Sequence, residues 1–146
     1  TGVNADPGFT SIKRAFTAFH QKYPDKVALV QSMGQQRYLS AMRLASVVIG
    51  NSSSGIIEAP ALGVQTINIG DRQKGRLRAD SIIDCDNDMQ SIIESIHTVL
   101  KPENQKKAKH VVSLYGAGEA SPRIVETLIT QSLDNILMKQ FFDMTE

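Results

Sequence analysis

The fold of this chain is decided by residues 47–60, which read VVIGNSSSGIIEAP. An apolar run is followed by a turn rich in hydroxyls and glycine, and then by the start of a helical pattern. This order predicts a strand that ends at Gly50, a polar turn, and a short helix from Ser53. Backbone N–H groups at a helix start lack helical partners and lie at the positive end of the helix dipole. The stretch therefore predicts an anion site.

The side chains of this stretch suggest which anion it takes. Three serine hydroxyls can donate to phosphate oxygens, and Glu58 lies about one helical turn further in, where it can accept from sugar hydroxyls. A phosphate site followed by a carboxylate suggests a nucleotide. Two alternatives stay open on the residues alone: a serine-rich N-cap without a ligand, and a carboxylate that only complements the helix dipole.

Composition limits the class of protein. The 146 residues fit one domain, and an apolar content of 41% supplies a core. The net charge of +1 and the 5% aromatic content argue against a nucleic-acid-binding surface. No apolar run is long enough to span a membrane, and no signal peptide is visible. The single Cys85 excludes an internal disulfide and fits a reducing compartment, so we expect a cytoplasmic protein.

Outward from the central stretch, helical and strand patterns alternate, which predicts a parallel sheet with helical crossovers. The sequence predicts helices at 9–23, 35–45, 53–62 and 89–100, and strands at 27–30, 46–50, 64–69 and 81–85. The run 46–50 is typical of a strand buried on both faces, and Gly63 suits a left-handed helix cap. Residues from 102 onward look helical, with an interruption at 115–118 and a final helix from Pro122 to about Phe142.

The polar turns of this pattern follow one edge of the predicted sheet. They cover residues 4–8, 32–35, 51–55 and 70–76. Ligands of such sheets bind at the carboxyl ends of the strands, so these four turns are candidate contact loops. We interpret Lys74, in the last of these turns, and Arg78, just after it, as solvated charges. The role of Arg76 is left undecided.

No metal or cofactor site is predicted. The three histidines have no partners at metal-ligand spacing, so surface or packing roles are favoured. Asp84, Asp86 and Asp88 alternate as in a calcium loop, but the loop's glycine and distant glutamate are missing. Cys85 has no neighbour that would activate its thiol, and we expect a small buried residue at a strand end.

A family likeness rests on the residues 50–55, Glu58 and 67–76. These blocks resemble the UDP-N-acetylglucosamine 2-epimerases, and the loop Arg72-Gln73-Lys74-Gly75-Arg76 is similar to the hydrolysing branch that serves sialic-acid-type sugar synthesis. Residues 4–6 and 115–123 match the same family's pattern. The resemblance runs in order along nearly the whole chain.

The resemblance implies a two-domain enzyme of the GT-B type, in which two Rossmann-like halves close over a UDP-sugar. The chain is similar to most of the C-terminal, UDP-holding half. Residues 1–146 would form that domain, incomplete at its N-terminal side, and a further strand and helix would precede Asn4. The family's catalytic carboxylates and functional histidine belong to an N-terminal domain that the chain lacks, so we expect no catalytic residue here and no activity of the chain alone.

Site residues follow from the resemblance position by position. Ser52 and Ser53 would hold the diphosphate, and Glu58 would accept from the ribose hydroxyls. Met33 would meet the uracil through its backbone. The nucleotide site would be completed by Asn4 and Arg72, whose planar guanidinium fork suits phosphate.

The implied reaction converts UDP-N-acetylglucosamine to N-acetylmannosamine and UDP by C2 deprotonation, elimination of UDP and hydration. Three alternatives remain: a related 2,4-diacetamido sugar 2-epimerase, a GT-B glycosyltransferase with a UDP-sugar donor, and a stand-alone nucleotide-binding module. The expected partners are the UDP-sugar, the missing N-terminal domain and further copies in a homo-oligomer. We expect Phe141 and Phe142 to pack on a neighbouring domain or subunit.

Overall fold

The computed structural model describes residues 8–116, 118–134 and 137–138. The chain divides into two compact units, residues 1–114 and residues 115–146, and each is described by itself. The first unit contains α1 (Phe9–Lys22), α2 (Gly34–Leu44), β1 (Val47–Gly50), α3 (Ser53–Ala61), β2 (Gln65–Ile69), β3 (Ile82–Cys85), α4 (Met89–Val99) and α5 (Pro102–Ala108). The second unit contains α6 (Ala120–Thr130).

The three strands form one parallel sheet in the order β1-β2-β3. Thr66 of the central strand pairs with Val48 on one side and with Ile82 on the other. Parallel neighbours need a crossover, and α3 supplies the one between β1 and β2. The predicted fold class, a Rossmann-like parallel sheet flanked by helices as in one half of a GT-B-type enzyme, is confirmed.

The core lies where α2 and α3 meet the sheet. Met42, Ala59 and Val64 are buried together. Partly buried apolar side chains complete this cluster: Tyr38, Val48 and Leu62. Gly63 follows α3 with a φ of 70°, the left-handed conformation that the sequence predicts there. The chain can therefore turn from α3 directly into β2.

Close contact between α3 and β2 depends on Gly55. A Cβ at Gly55 would lie 2.8 Å from the Thr66 Cγ2 atom, which is closer than real Cβ contacts. The buried Thr66 Oγ1 also donates to the Gly55 carbonyl at 2.8 Å. The glycine is therefore required at this position by packing, and it draws the first turn of α3 onto the central strand.

The strand predicted at 27–30 is absent, and that prediction is wrong. The backbone of Val27 is engaged locally instead: its N–H donates to the Tyr23 carbonyl at 3.0 Å, and its own carbonyl lies 2.6 Å from His20 Nδ1. A strand requires a neighbouring strand for its backbone groups. The apolar composition of this segment is therefore not sufficient to make it a strand.

The prediction that β1 is buried on both faces is also wrong. Ile49 is 45% exposed, and the strand shows an intermediate rather than a buried pattern. Sheet order explains this exposure, because β1 is an edge strand and pairs only with β2 in the described part of the chain. The central β2 is the strand that is buried, with its first four residues inside.

The first and last helices differ from expectation in burial and in length. Helix α1 has the predicted bounds to within one residue, but none of its residues is buried. Helix α6 begins two residues before Pro122 and ends at Thr130, so the extension to Phe142 is wrong as far as residues 131–134 show. There the Ser132 hydroxyl accepts from the Asp134 N–H at 3.1 Å and closes a turn. Phe141 and Phe142 lie outside the described residues.

None of the helices in the described ranges is both long enough and apolar enough to cross a membrane.

Candidate functional site

The serine turn, residues 51–55, begins α3 at the carboxyl end of β1. Ser52 is the N-cap residue, with extended backbone angles, and its Oγ accepts from the Ser54 N–H at 3.3 Å. The Gly55 N–H turns back to the Ser52 carbonyl at 3.1 Å. No acidic residue lies in the first turn of α3. The positive end of the helix dipole is therefore not offset by a carboxylate there, which suits an anion.

The sequence left open that the serines only cap the helix and bind no ligand, and Ser52 is indeed the N-cap residue of α3. However, its long cap bond uses the hydroxyl only as an acceptor. The hydroxyl proton can still be donated to an oxygen of a ligand. Capping and anion binding are thus compatible at Ser52, and Ser53, half-buried at the first position of the helix, lies beside it.

Glu58 is hydrogen-bonded to Ser54, a residue to which the family resemblance gave no role in binding. The Ser54 hydroxyl donates to Glu58 Oε2 one helical turn away, in a partly buried pair. The spacing of four residues was a usable signal, because such pairs face each other on a helix. Ser54 thereby orients the carboxylate, which keeps lone pairs for the hydroxyls of a sugar.

The loop after β2 reaches the serine turn. Arg72 Nη1 donates to the Asn51 carbonyl at 3.2 Å, and Gln73 Nε2 donates to the same oxygen at 2.8 Å. These contacts join residues more than twenty positions apart in the sequence. The structure therefore brings together two of the sequence blocks, 51–55 and 70–76, that carry the predicted site.

A polar network continues from this loop to the ends of β2 and β3. Arg78 Nε bonds both carboxylate oxygens of Asp84 at 3.1 and 3.2 Å. Asp84 Oδ1 also accepts from Asn68 Nδ2 at 2.6 Å. The interpretation of Arg78 as a solvated charge is therefore wrong, since its guanidinium also bonds the carbonyls of Gln73 and Arg76. Sequence gave no sign of this, because charged loops are usually solvated.

The structure gives no contact that links Met33 to the serine turn among the described residues. Met33 is the N-cap residue of α2, where the neighbouring Gly34 N–H bonds Ser32 Oγ at 3.4 Å. Because 27–30 is not a strand, no strand end brings Met33 to the sheet edge. Asn4 lies outside the described residues. The roles of Met33 and Asn4 stay predictions.

A polar cavity of about 630 Å³ lies beside the candidate site. Its lining residues lie at the end of β3 and in the segments that follow β2 and β3: Gly70, Asp71, Lys74, Arg78, Asp84, Cys85, Asp86, Asn87 and Ser91. Within the described ranges, no three His, Cys, Asp or Glu side chains are grouped to hold a metal ion. The chemistry that the arrangement supports is anion binding and hydrogen bonding.

The comparison with protein families gives one match over most of the chain. The model of the family described as UDP-N-acetylglucosamine 2-epimerase matches residues 4–129. This range includes the serine turn, the loop after β2 and every predicted binding residue.

Curated relatives are longer than this chain. A protein of Campylobacter jejuni named GDP/UDP-N,N'-diacetylbacillosamine 2-epimerase (hydrolyzing) is 40% identical over 146 residues, covering 99% of the chain and 37% of the relative. A Legionella pneumophila protein named UDP-N,N'-diacetylbacillosamine 2-epimerase (hydrolyzing) is 30% identical over 137 residues, covering 94% and 35%. The chain thus spans about a third of the length of these relatives.

A solved structure shares the fold. The crystal structure of a putative UDP-N-acetylglucosamine 2-epimerase from Listeria monocytogenes superposes with a TM-score of 0.67 at 18% identity. The match covers 88% of this chain and 34% of the Listeria chain.

Proposed function

Because the chain belongs to the UDP-N-acetylglucosamine 2-epimerase family, we propose that it is the UDP-binding part of a hydrolysing 2-epimerase. The enzyme would convert UDP-N-acetylglucosamine to N-acetylmannosamine and UDP. The main observation in support of this proposal is the hydrogen bond from Arg72 to the Asn51 carbonyl in the serine turn. That contact gathers a guanidinium, a helix start and two serine hydroxyls at one surface.

The diphosphate would lie against the start of α3. Ser52 and Ser53 would donate to its oxygens, the helix dipole would complement its charge, and the exposed Arg72 would approach from the loop. Glu58, oriented by Ser54, would accept from the ribose hydroxyls. The backbone of Met33 and the side chain of Asn4 would complete the site for the nucleoside.

In the reaction, the C2 proton is removed, the bond between C1 and the UDP oxygen breaks, and water adds to the resulting glycal. Negative charge grows on the departing diphosphate as that bond breaks. Groups already oriented at that charge lower the barrier, which is the contribution that α3, Ser52 and Ser53 would make. The groups that remove the proton would come from an N-terminal domain of the longer protein, so the 146-residue chain alone would be inactive.

A second substrate has support from the relatives. Two relatives that match nearly the whole chain carry the name of diacetylbacillosamine 2-epimerases. A 2,4-diacetamido sugar differs from N-acetylglucosamine at C4 and C6, while the UDP is the same. The site described here would serve either sugar, because it grips the nucleotide.

Binding of UDP to the longer protein, which contains the completed domain, tests the site. The double substitution Ser53→Ala with Arg72→Ala removes two charged hydrogen bonds, each worth about 1.5–3 kcal/mol, so calorimetric affinity should fall by at least tenfold. Lys74→Ala is the matched control, because it removes an exposed cation from the same loop. Unchanged affinity in the double variant would refute the site assignment.

The activity of the longer protein tests the reaction. Free N-acetylmannosamine or its diacetamido counterpart, detected together with UDP, supports hydrolysing epimerisation, and the faster of the two substrates identifies the sugar. Transfer of the sugar to an acceptor without a free mannosamine product would support a glycosyltransferase instead. Turnover by the 146-residue chain itself would contradict the proposed division of roles. We propose that the enzyme is cytoplasmic and that it forms a homo-oligomer. Gel filtration of the longer protein tests the oligomeric state.

A further inference from the structure

The buried side chain of Gln73 touches the serine turn at its first peptide group. Gln73 is only 3% exposed, and its Nε2 donates to the Asn51 carbonyl at 2.8 Å. That carbonyl belongs to the peptide plane that also carries the Ser52 N–H. In a trans peptide the two groups point in opposite directions, and the described peptide bonds include no cis bond. Holding the carbonyl toward the loop therefore directs the Ser52 N–H away from it.

The Asn51 carbonyl accepts from two different donors. The bond from Arg72 is longer, at 3.2 Å, and Arg72 lies on the surface, whereas the bond from Gln73 comes from inside. If the Arg72 guanidinium turns toward a phosphate, the Asn51 carbonyl still keeps the bond from Gln73. The serine turn then keeps its conformation while the arginine binds the ligand.

Gln73 is itself held in place. Arg78 Nη2 donates to the Gln73 carbonyl at 2.9 Å, and Arg78 is paired with Asp84. Asp84 Oδ1 in turn accepts a hydrogen bond from Asn68 Nδ2 of the central strand. A continuous series of contacts thus connects the sheet to the backbone of the serine turn, with the Gln73 side chain as its last member.

We propose that Gln73 is a positioning residue of the anion site. It fixes the peptide between Asn51 and Ser52, so that the start of α3 stays ready for a diphosphate whether or not Arg72 keeps its bond to the Asn51 carbonyl. The importance of this role for UDP rests on the proposed function, but the positioning of the turn does not. The two statements are therefore tested by separate measurements on the same longer protein.

The variant Gln73→Met removes the donor and keeps the side-chain volume. Gln65→Met is a matched control, because Gln65 is also 3% exposed and donates its side-chain amide to a distant backbone carbonyl, that of Asn104, at 2.6 Å. Gln65 begins β2 at the opposite end of the sheet from the serine turn. Gln73→Asn is the second test variant, because it keeps an amide but shortens its reach by one methylene.

Hydrogen exchange of the unliganded protein tests the positioning. The amide protons of Ser54 and Gly55, which are bonded to Ser52, should exchange about 2–12-fold faster in Gln73→Met and in Gln73→Asn, as expected for the loss of one net hydrogen bond. The amide proton of Ile67 should be unchanged in both. Equal rates in wild type and the Gln73 variants, or the same acceleration in Gln65→Met, would overturn the proposal.

Titration with UDP tests the consequence for binding. We expect the dissociation constant to rise about tenfold in Gln73→Met and to stay the same in Gln65→Met. Faster exchange with unchanged UDP affinity would remove the functional part of the proposal. If the longer wild-type protein binds no UDP, the proposed function fails, while the exchange result still decides whether Gln73 positions the turn.

Discussion

Two helices begin at the same edge of the sheet, and they begin differently. Helix α3 follows β1 with Ser52 as its cap, and the cap bond to Ser54 N–H is 3.3 Å long. Helix α4 follows β3 with Asp88 as its cap, and Asp88 Oδ1 accepts from the Ser91 N–H at 3.0 Å. The Ser91 hydroxyl in turn accepts from the Asp86 N–H at 3.1 Å.

This difference indicates why an anion would bind at the start of α3 rather than at the start of α4. A carboxylate at the cap of α4 bonds an N–H group and offsets the positive end of the helix dipole with a full charge. The neutral Ser52 leaves the dipole of α3 without a counter-charge. Position at the sheet edge is shared by both helices, and the chemistry of the cap separates them.

The largest effect is expected from giving α3 the cap of α4. Ser52→Asp should lower UDP affinity by tenfold to about a hundredfold, because it adds a negative charge where the diphosphate would bind. The free energy of unfolding should stay within about 0.5 kcal/mol of wild type, since serine and aspartate are comparable caps. Calorimetry and urea titration measure the two quantities.

The reverse exchange is the control for this prediction. Asp88→Ser makes the start of α4 resemble that of α3 and should leave UDP affinity at the wild-type value. A gain of affinity in Asp88→Ser as large as the loss in Ser52→Asp would show that the effect is general charge repulsion and would invalidate the comparison.

Next in size is the contact that draws α3 onto the sheet. Gly55→Ala places a Cβ 2.8 Å from Thr66 Cγ2, and such overpacking should lower the free energy of unfolding by about 1–3 kcal/mol. Adding Thr66→Ser removes the methyl group and keeps the hydroxyl, so it should restore part of the loss. Additive losses in the double variant would mean that this contact is not the cause.

Removal of the α4 cap should have a moderate effect. Asp88→Ala should cost about 1 kcal/mol of unfolding free energy, because it removes a short cap bond and a charge that complements the dipole. Ser52→Ala should cost less, because its cap bond is longer. Urea titration of the two variants measures the difference, and a larger loss for Ser52→Ala would reverse the ranking of the caps.

The smallest effect concerns Asp84, which lies between the two helix starts in the polar network. Asp84→Asn should lower the free energy of unfolding by about 0.5 kcal/mol, because the Asp84 side chain is 54% exposed and solvent screens its pair with Arg78. Thermal unfolding at low and high salt checks this, since the loss should shrink as salt rises. The exposed pair of Glu119 and Arg123 is the control, and Arg123→Ala should have no measurable effect.

The sequence predicted the middle of the chain well because local and global signals agree there. Helices α2, α3 and α4 and strands β1 to β3 have the expected positions to within one residue, since turn residues and apolar periodicity mark both their ends. Gly63 is an example, because only its left-handed conformation joins α3 to β2 without strain.

The failures concern properties that neighbours decide. Among the described residues, the segment 27–30 has the composition of a strand but no strand beside it, and Ile49 is apolar but lies on an edge strand. At the candidate site, residue type and family pattern were the signals that pointed to the serines and Arg72, whose binding roles stay predictions. The contact made by Gln73 had no such signal, because one amide among charged loop residues gives no sign of being buried against a carbonyl 22 residues away.

The outer side of β1 has a practical consequence for handling the protein. Within the described residues, β1 pairs only with β2, and the open edge of such a strand is a template for another strand. The exposed Ile49 adds apolar surface beside it. Isolated chains at high concentration should therefore add to one another edge to edge and form larger aggregates. Light scattering against concentration would reveal this, and Ile49→Lys should suppress it, because a lysine on an edge strand opposes such pairing.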